Sequence, residues 1–339
     1  MNSFILIEAL SRIFPSDLAF SIIVNSSFIT FTLYLYILYN LIKSAFLKRQ
    51  EYISAGTDSY RLFDGIGDGV EGFYIDNFAG HFLVSYLNDK PRVPISFNLD
   101  EKSIWLKELN QDHKSPPICF KGNPKLPKVE ISENHARFEI DFSAGYSQGI
   151  FLDQRDNRLK VIERSADRKV LNCFSYTCCF SVVAALGGAE STTSIDLSNT
   201  YLEWGKRNFN LNNINLRDSN HYFCKGDVFN WLKQFNRKER KFGLVIVDPP
   251  SFSRSGKNGA FSVINDYSSL IELAVNLVEP FGWVLACSNH RKLTNKKFIS
   301  SVKEGVKNAK RKIIDIELSQ MPFDFSGEKY LKSIWLKLS

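Results

Sequence analysis

Lys169-Val170-Leu171-Asn172-Cys173-Phe174-Ser175-Tyr176-Thr177-Cys178-Cys179-Phe180 is an apolar run that gives way to small polar residues and then resumes at helical spacing. It reads as a buried strand, a tight loop and a helix. Asp196, 22 residues beyond Phe174, closes a second apolar run, Thr193-Ser194-Ile195-Asp196, and is followed by Leu197-Ser198 and an amphipathic segment over 200–211. A third unit, Phe242-Gly243-Leu244-Val245-Ile246-Val247-Asp248-Pro249-Pro250-Ser251-Phe252, ends a buried strand in a rigid polar loop. In a doubly wound sheet the first loop passes under a nucleotide-type ligand and the acid after the second strand holds its ribose. Consecutive parallel strands present their carboxyl ends to a single crevice, so residues 174–179, Asp196 and Asp248 are expected to meet there.

The chain has 339 residues, enough for two domains and a sizeable core. With 44% hydrophobic residues it has the composition of an ordinary globular protein. Its net charge is +7, and from Ala286 onward 12 Lys+Arg face 5 Asp+Glu, a surplus equal to the whole-chain excess. A basic lobe of this kind suits a polyanion such as RNA, although a merely solvated lysine-rich surface has the same composition. The six cysteines show no C-x-x-C pair and no metal spacing with the five histidines. No metal is expected, and free thiols point to the cytoplasm.

Residues 18–42 carry no charge and run on into Lys43-Ser44-Ala45-Phe46-Leu47-Lys48-Arg49. Asn25, Ser26, Ser27, Thr30, Thr32 and Asn40 interrupt the stretch, so a long helix over 29–51 packed on the next domain is expected. A membrane helix is the alternative. Short strands separated by turns follow over 58–86, where a strand rather than a helix comes after the Gly65, Gly67 and Gly69 run, which argues against a dinucleotide loop. A helix over 100–109 and strands at 118–121 and 137–142 complete a small α+β module over 54–144. The run Gly145-Tyr146-Ser147-Gln148-Gly149-Ile150-Phe151-Leu152-Asp153-Gln154-Arg155-Asp156-Asn157-Arg158 concentrates donors and acceptors just before the first core strand. It reads as a lid over the ligand or as the start of a helix. Asp227, after the strand 221–224, serves either an adenine amino group or the N-cap of the next helix. Alternating helices and strands then run to the end, and strands 312–317 and 331–337 lie too close for a crossover helix, so they should pair antiparallel. The fold class is α/β: a doubly wound, seven-stranded Rossmann-like sheet over 145–339, preceded by the module and by a helical segment over 1–53.

On these residues the chain from about Asp58 onward resembles the bacterial family of S-adenosylmethionine (SAM)-dependent methyltransferases that includes the cytosine-5 and guanine-N7 enzymes of large-subunit ribosomal RNA. The matching segments are Arg61-Leu62-Phe63 through Gly69, Phe151-Leu152-Asp153-Gln154-Arg155, residues 172–180, Asp196 and Asp248 through Phe252. The resemblance implies that SAM is held by Phe151, Gln154, Arg155, Asn172, Phe174, Ser175, Tyr176 and Thr177. It further implies that Asp196 with Leu197 takes the ribose, that Asp227 with Val228 meets the adenine, and that Asp248, Pro249 and Pro250 face the target base. RNA, ribosomal in that family, is the implied partner, and a homodimer is left open. Relatives carry a glycine where this chain has Cys178-Cys179, whose side chains would crowd the methionine part of SAM unless they turn inward.

Methylation at cytosine carbon 5 needs a thiolate to activate the ring. An ungapped match puts Asn289 where those relatives have their cysteine, and Cys287 lies two residues earlier on the same face of the strand. Without a thiolate, a ring nitrogen or exocyclic amine is the more reasonable acceptor, since it attacks a sulfonium methyl directly. Asp248 and the carbonyls fixed by Pro249 and Pro250 are acceptors for an amine, Ser251 and Phe252 border the base, and Asn289 can bond its edge. His290 is a candidate proton acceptor or an idle loop histidine, and Arg254 and Arg291 are placed to grip phosphates. The rival readings are a methyltransferase acting on a small molecule or a protein, and an RNA-binding protein whose cofactor pocket Cys178-Cys179 has closed.

Overall fold

A computed structural model describes residues 26–51, 53, 55–87, 99–109, 115–145, 147–217, 220–250, 252–255 and 259–339. Helix α1 (Ser26–Gln50) buries Leu38, Ile42, Ala45 and Arg49, one face at three- and four-residue spacing. That face packs on a sheet of β1 (Ser59–Asp64), β2 (Phe73–Phe78), β3 (His81–Tyr86), β4 (Ser103–Glu108) and β5 (Ile118–Lys121), in that order, with only β3 and β4 parallel. Residues 18–25 of the uncharged stretch lie outside the described residues, among which no helix is long and apolar enough to cross a membrane. The helix expected over 100–109 is strand β4. Ile104, Trp105 and Leu106 are all buried, with Trp105 stacked on Phe142 at 4.9 Å, and a strand covered on both faces loses the alternation that would distinguish it from a helix. A hairpin follows, β6 (Lys128–Glu133) and β7 (Ala136–Asp141), turned by Asn134 and His135 in the left-handed region.

A 3-10 turn (Leu152–Gln154) leads into α2 (Arg155–Glu163), then β8 (Lys169–Cys173), α3 (Cys179–Leu186), β9 (Ser191–Asp196), α4 (Asn199–Leu211), β10 (His221–Lys225), α5 (Val228–Arg237) and β11 (Phe242–Val247). After the small hairpin β12 (Phe252–Ser255) and β13 (Gly259–Ser262) come α6 (Val263–Val275), β14 (Val278–Ser288), α7 (Asn295–Asn308), β15 (Ile313–Ser319) and β16 (Lys332–Leu338). The sheet order is β10-β9-β8-β11-β14-β16-β15, with β16 antiparallel to both neighbours and the other pairs parallel. One face carries α2, α3 and α4 through Val161, Val183 and Phe209; the other carries α5, α6 and α7 through Leu232, Leu270 and Phe298. β8 and β11 are therefore apolar on both faces, as central parallel strands must be. The strand order reverses between β8 and β11, which opens a crevice beyond their carboxyl ends.

Two devices position that crevice. The β15–β16 loop carries Asp324, fully buried, which accepts the Arg155 guanidinium at 2.5 and 3.1 Å and the Arg61 N–H at 2.9 Å, while its carbonyl accepts Arg49 at 3.0 Å. The loop thereby clasps α1, β1 and α2 together. Gly149 sits at φ +119, where an added Cβ would lie 2.5 Å from the Trp204 ring and 2.7 Å from the Glu139 carbonyl. Gly149→Ala is expected to cost about 1–3 kcal/mol and to displace the neighbouring Phe151, read as a lowered denaturation midpoint together with weaker cofactor binding.

Candidate active site

β8 ends in a loop whose residues Phe174, Tyr176 and Cys178 have φ of 57, 49 and 61°, a left-handed region that side chains rarely adopt. Surrounding bonds hold it there: Ser175 N–H donates to the Ile195 carbonyl at 2.9 Å, Tyr176 N–H to Asp196 Oδ2 at 2.9 Å, and Thr177 Oγ1 to the Gly149 carbonyl at 2.5 Å. Asp196 Oδ1 accepts the Ser198 N–H at 2.8 Å. Burial pushes the Asp196 carboxyl up while these backbone donors pull it down. Each oxygen keeps a lone pair for a ribose hydroxyl.

Beyond this loop lies a cleft of about 280 Å3. Phe151, Asp153 and Gln154 form one wall, Phe174, Tyr176, Asp196, Leu197, Ser198 and Tyr201 another, and Asp248, Pro249, Pro250, Asn289 and Leu331 the far side. Tyr176 anchors an aromatic wall, with ring centroids 5.5 Å from Phe151 and 4.5 Å from Tyr201. A recess of about 60 Å3 beside it reaches Ser175, Thr177 and Cys179. Cys178 is turned away from the cleft and buried against Gly205 of α4, so of the two thiols only Cys179 borders ligand space, in the recess.

Asp248 is half-buried and its carboxyl is pushed up to about 7, chiefly by desolvation and then by the nearby charge of Asp153. Gln154 Nε2 donates to Asp248 Oδ2 at 2.9 Å. The Gln154 amide is itself oriented: its Oε1 accepts Asn157 Nδ2 at 2.6 Å, and Asn157 Oδ1 accepts Trp335 Nε1 at 3.2 Å. Asp153 takes the Tyr330 hydroxyl on Oδ2 at 2.9 Å, while its buried Oδ1 has no hydrogen-bond partner among the described residues. Three carboxyls and, among the described residues, no lysine or arginine thus line the cleft, an acceptor set that fits a ligand carrying positive charge and a ribose.

Among the residues expected here, Phe151, Gln154, Phe174, Tyr176, Asp196, Leu197, Asp248, Pro249, Pro250 and Asn289 line the cleft, and Ser175 and Thr177 line the recess. Several others are elsewhere. Arg155 is committed to Asp324, Asn172 donates to Ser181 Oγ at 2.9 Å inside the core, and Val228 is a core residue. Asp227 is the N-cap of α5, accepting the Asn230 N–H at 3.0 Å. Cys287 is buried and is not in the cleft lining, its Sγ 3.9 Å from Gln154 Oε1, and burial, with Asp248 nearby, pushes its thiol well above the ordinary range. His290 is buried rather than exposed, and Arg291 pairs with Glu328 at the surface. Ser251 and the side chains of Phe252 and Arg254 lie outside the described residues. The sequence reading missed Asp153, Ser198, Tyr201 and Leu331. Ser198 and Tyr201 open α4, where a cap and its first turn were legible; Leu331 arrives from the far end of the chain with no local signal.

The raised carboxyl of Asp248 sets a pH dependence. Below about 7 it holds a proton and above it is an anion, so a cationic ligand should bind more tightly as pH rises from 6 to 8 and should release a proton on binding at pH 6. Calorimetry in buffers of different ionisation enthalpy reads this directly, and a flat affinity across that window would contradict it.

A doubly wound sheet with β16 antiparallel between β14 and β15, an acid ending β9 and an Asp-Pro-Pro loop after β11 defines a Rossmann-like methyltransferase. Residues 110–317 match the S-adenosylmethionine-dependent methyltransferase family, and the chain belongs to it. YwbD of Bacillus subtilis is 33% identical over 302 residues, covering 86% of this chain and 76% of that protein. Ribosomal RNA large subunit methyltransferase K/L of Psychrobacter cryohalolentis is 34% identical over 236 residues, covering 69% of this chain and 29% of that protein. Ribosomal RNA large subunit methyltransferase K of Neisseria meningitidis is 38% identical over 200 residues, covering 59% and 54%. The chain thus spans roughly a third to a half of the length of these two named ribosomal RNA enzymes. SMU.776, solved in complex with SAH, superposes with a TM-score of 0.78 at 29% identity over 89% of this chain and 81% of that one. The enzyme is SAM-dependent.

Proposed function

We propose that this enzyme methylates a base of large-subunit ribosomal RNA in the cytoplasm, at a nitrogen rather than at cytosine carbon 5. The RNA substrate is supported by the names of the relatives and by the basic C-terminal segment, and residues 54–144 are read as the substrate-recognition module. The observation that carries the choice of atom is the Asp248-Pro249-Pro250 loop in a cleft that no cysteine lines. Cys179, in the recess, has its thiol pushed up to about 11, far from a thiolate at neutral pH. SAM supplies an electrophilic methyl group when bound. Asp196 would hold its ribose, and Asp153 with Asp248 would complement its positive charge. The carbonyls next to Pro249 and Pro250 orient an amine, and Asp248, poised near 7, takes the proton that the nitrogen gives up. Incubating the protein with radiolabelled SAM and large-subunit ribosomal RNA, followed by nucleoside mass spectrometry, tests this. An N-methylated nucleoside is expected; 5-methylcytosine would overturn the nitrogen assignment, and no transfer to RNA would overturn the substrate.

A further inference from the structure

Leu331 is a wall between two spaces. On one side is the cofactor cleft; on the other, a cavity of about 350 Å3 opens between the first turn of α7 and the adjoining ends of β15 and β16. It lies on the same carboxyl-end side of the sheet, because Lys332 at the start of β16 pairs with Ser288 at the end of β14. Nothing in the methyl-transfer site uses it. Phe298 and Met321 give it a buried apolar floor and Leu318, 60% exposed, an apolar rim. Lys329 and Lys332 line it and, among the described residues, no acid does. Lys332 is 7% exposed and gives two of its protons to the carbonyls of His290 (3.1 Å) and Tyr330 (2.7 Å), which leaves the third for a guest. Lys292, Lys296 and Lys297 are exposed at the same end of α7.

We propose that this cavity seats a nucleotide of single-stranded RNA neighbouring the one that is methylated, its base on the apolar floor and its phosphate against Lys329 and Lys332. The proposal rests on the RNA reading above and deepens it. Unstacked bases on apolar surfaces with lysines along the backbone are how single-stranded RNA is held, and the amides of Asn295 and Gln320 in the lining are suited to a base edge. Two lysines and, among the described lining residues, no acid complement the charge of a polyanion.

The test is fluorescence anisotropy of short labelled single-stranded oligoribonucleotides with the full-length chain, alongside SAM calorimetry. The variants are Leu318→Glu, which puts a like charge at the rim against the phosphate, and Lys329→Ala; both change exposed side chains. Each is expected to weaken RNA binding about tenfold, and Lys329→Ala to flatten the salt dependence, with SAM affinity unchanged in both. Wild-type RNA binding that neither variant alters would overturn the second seat and leave the RNA substrate standing. A wild-type protein that binds no RNA would overturn both. Loss of SAM affinity in step with RNA affinity would also overturn it, because the cavity would then be part of the cofactor wall.

Discussion

Asp248→Asn is expected to lower the rate of methyl transfer roughly 100-fold or more while making the protein harder to unfold. The amide keeps the size of the carboxyl, but it takes no proton from an attacking nitrogen and offers no charge to a cationic cofactor. Stability moves the other way for a reason visible in the site. The carboxyl is desolvated and its titration is raised from the ordinary 3.8 to about 7, so its ionised form is the disfavoured one. That penalty is absent below pH 4, grows between about 4 and 7 as the unfolded chain loses the proton first, and is complete above 7. Removing the charge should therefore stabilise the fold at pH 8 by something on the order of 2–4 kcal/mol and have little effect near pH 4. Thermal denaturation at the two pH values, beside single-turnover rates, checks both halves. Loss of activity together with loss of stability at pH 8 would make Asp248 a structural residue.

Asp324→Ala should produce the largest loss of stability, about 3–5 kcal/mol. The substitution strands the Arg155 guanidinium in the interior, removes the acceptor of the Arg61 N–H and loosens the turn whose carbonyl meets Arg49. The cost comes from the unpaired cation more than from the pair itself, so the double variant Asp324→Leu with Arg155→Met should regain part of the loss. Denaturant midpoints for the single and double variants decide this. A single-variant loss below about 1 kcal/mol would mean that water takes the place of the carboxylate.

Much of the sheet and cleft was legible in the chain, and the failures have physical causes. The runs ending at Cys173 and Val247 announce themselves because a strand covered on both faces must be apolar throughout. The same coverage disguised β4, whose Ile104-Trp105-Leu106 core is buried on both sides and shows no alternation. Asp196 and Asp248 were found because each ends such a run, where topology leaves a carboxyl end facing the crevice. Gln154 and Arg155 were grouped together, yet neighbours at a helix start project about 100° apart: one reaches Asp248 and the other Asp324. Cys287 and Asn289 were expected on one strand face, but β14 ends at Ser288: Asn289 lines the cleft while the Cys287 thiol is buried near Gln154 Oε1. Asp324, Tyr330 and Leu331 shape the site from a loop more than 160 residues downstream of Gln154 and Asp153, beyond the reach of any local pattern.

The loop after β8, Asp196 and Asp248 are proposed to enclose one SAM site. Titrating SAM calorimetrically into the wild-type chain and into Asp196→Asn tests it most directly. Saturable binding at one site is predicted for the wild type, weakened about 10- to 100-fold in the variant by loss of charge-assisted bonds to the ribose. No heat from the wild type, or equal affinity in the two proteins, would contradict it.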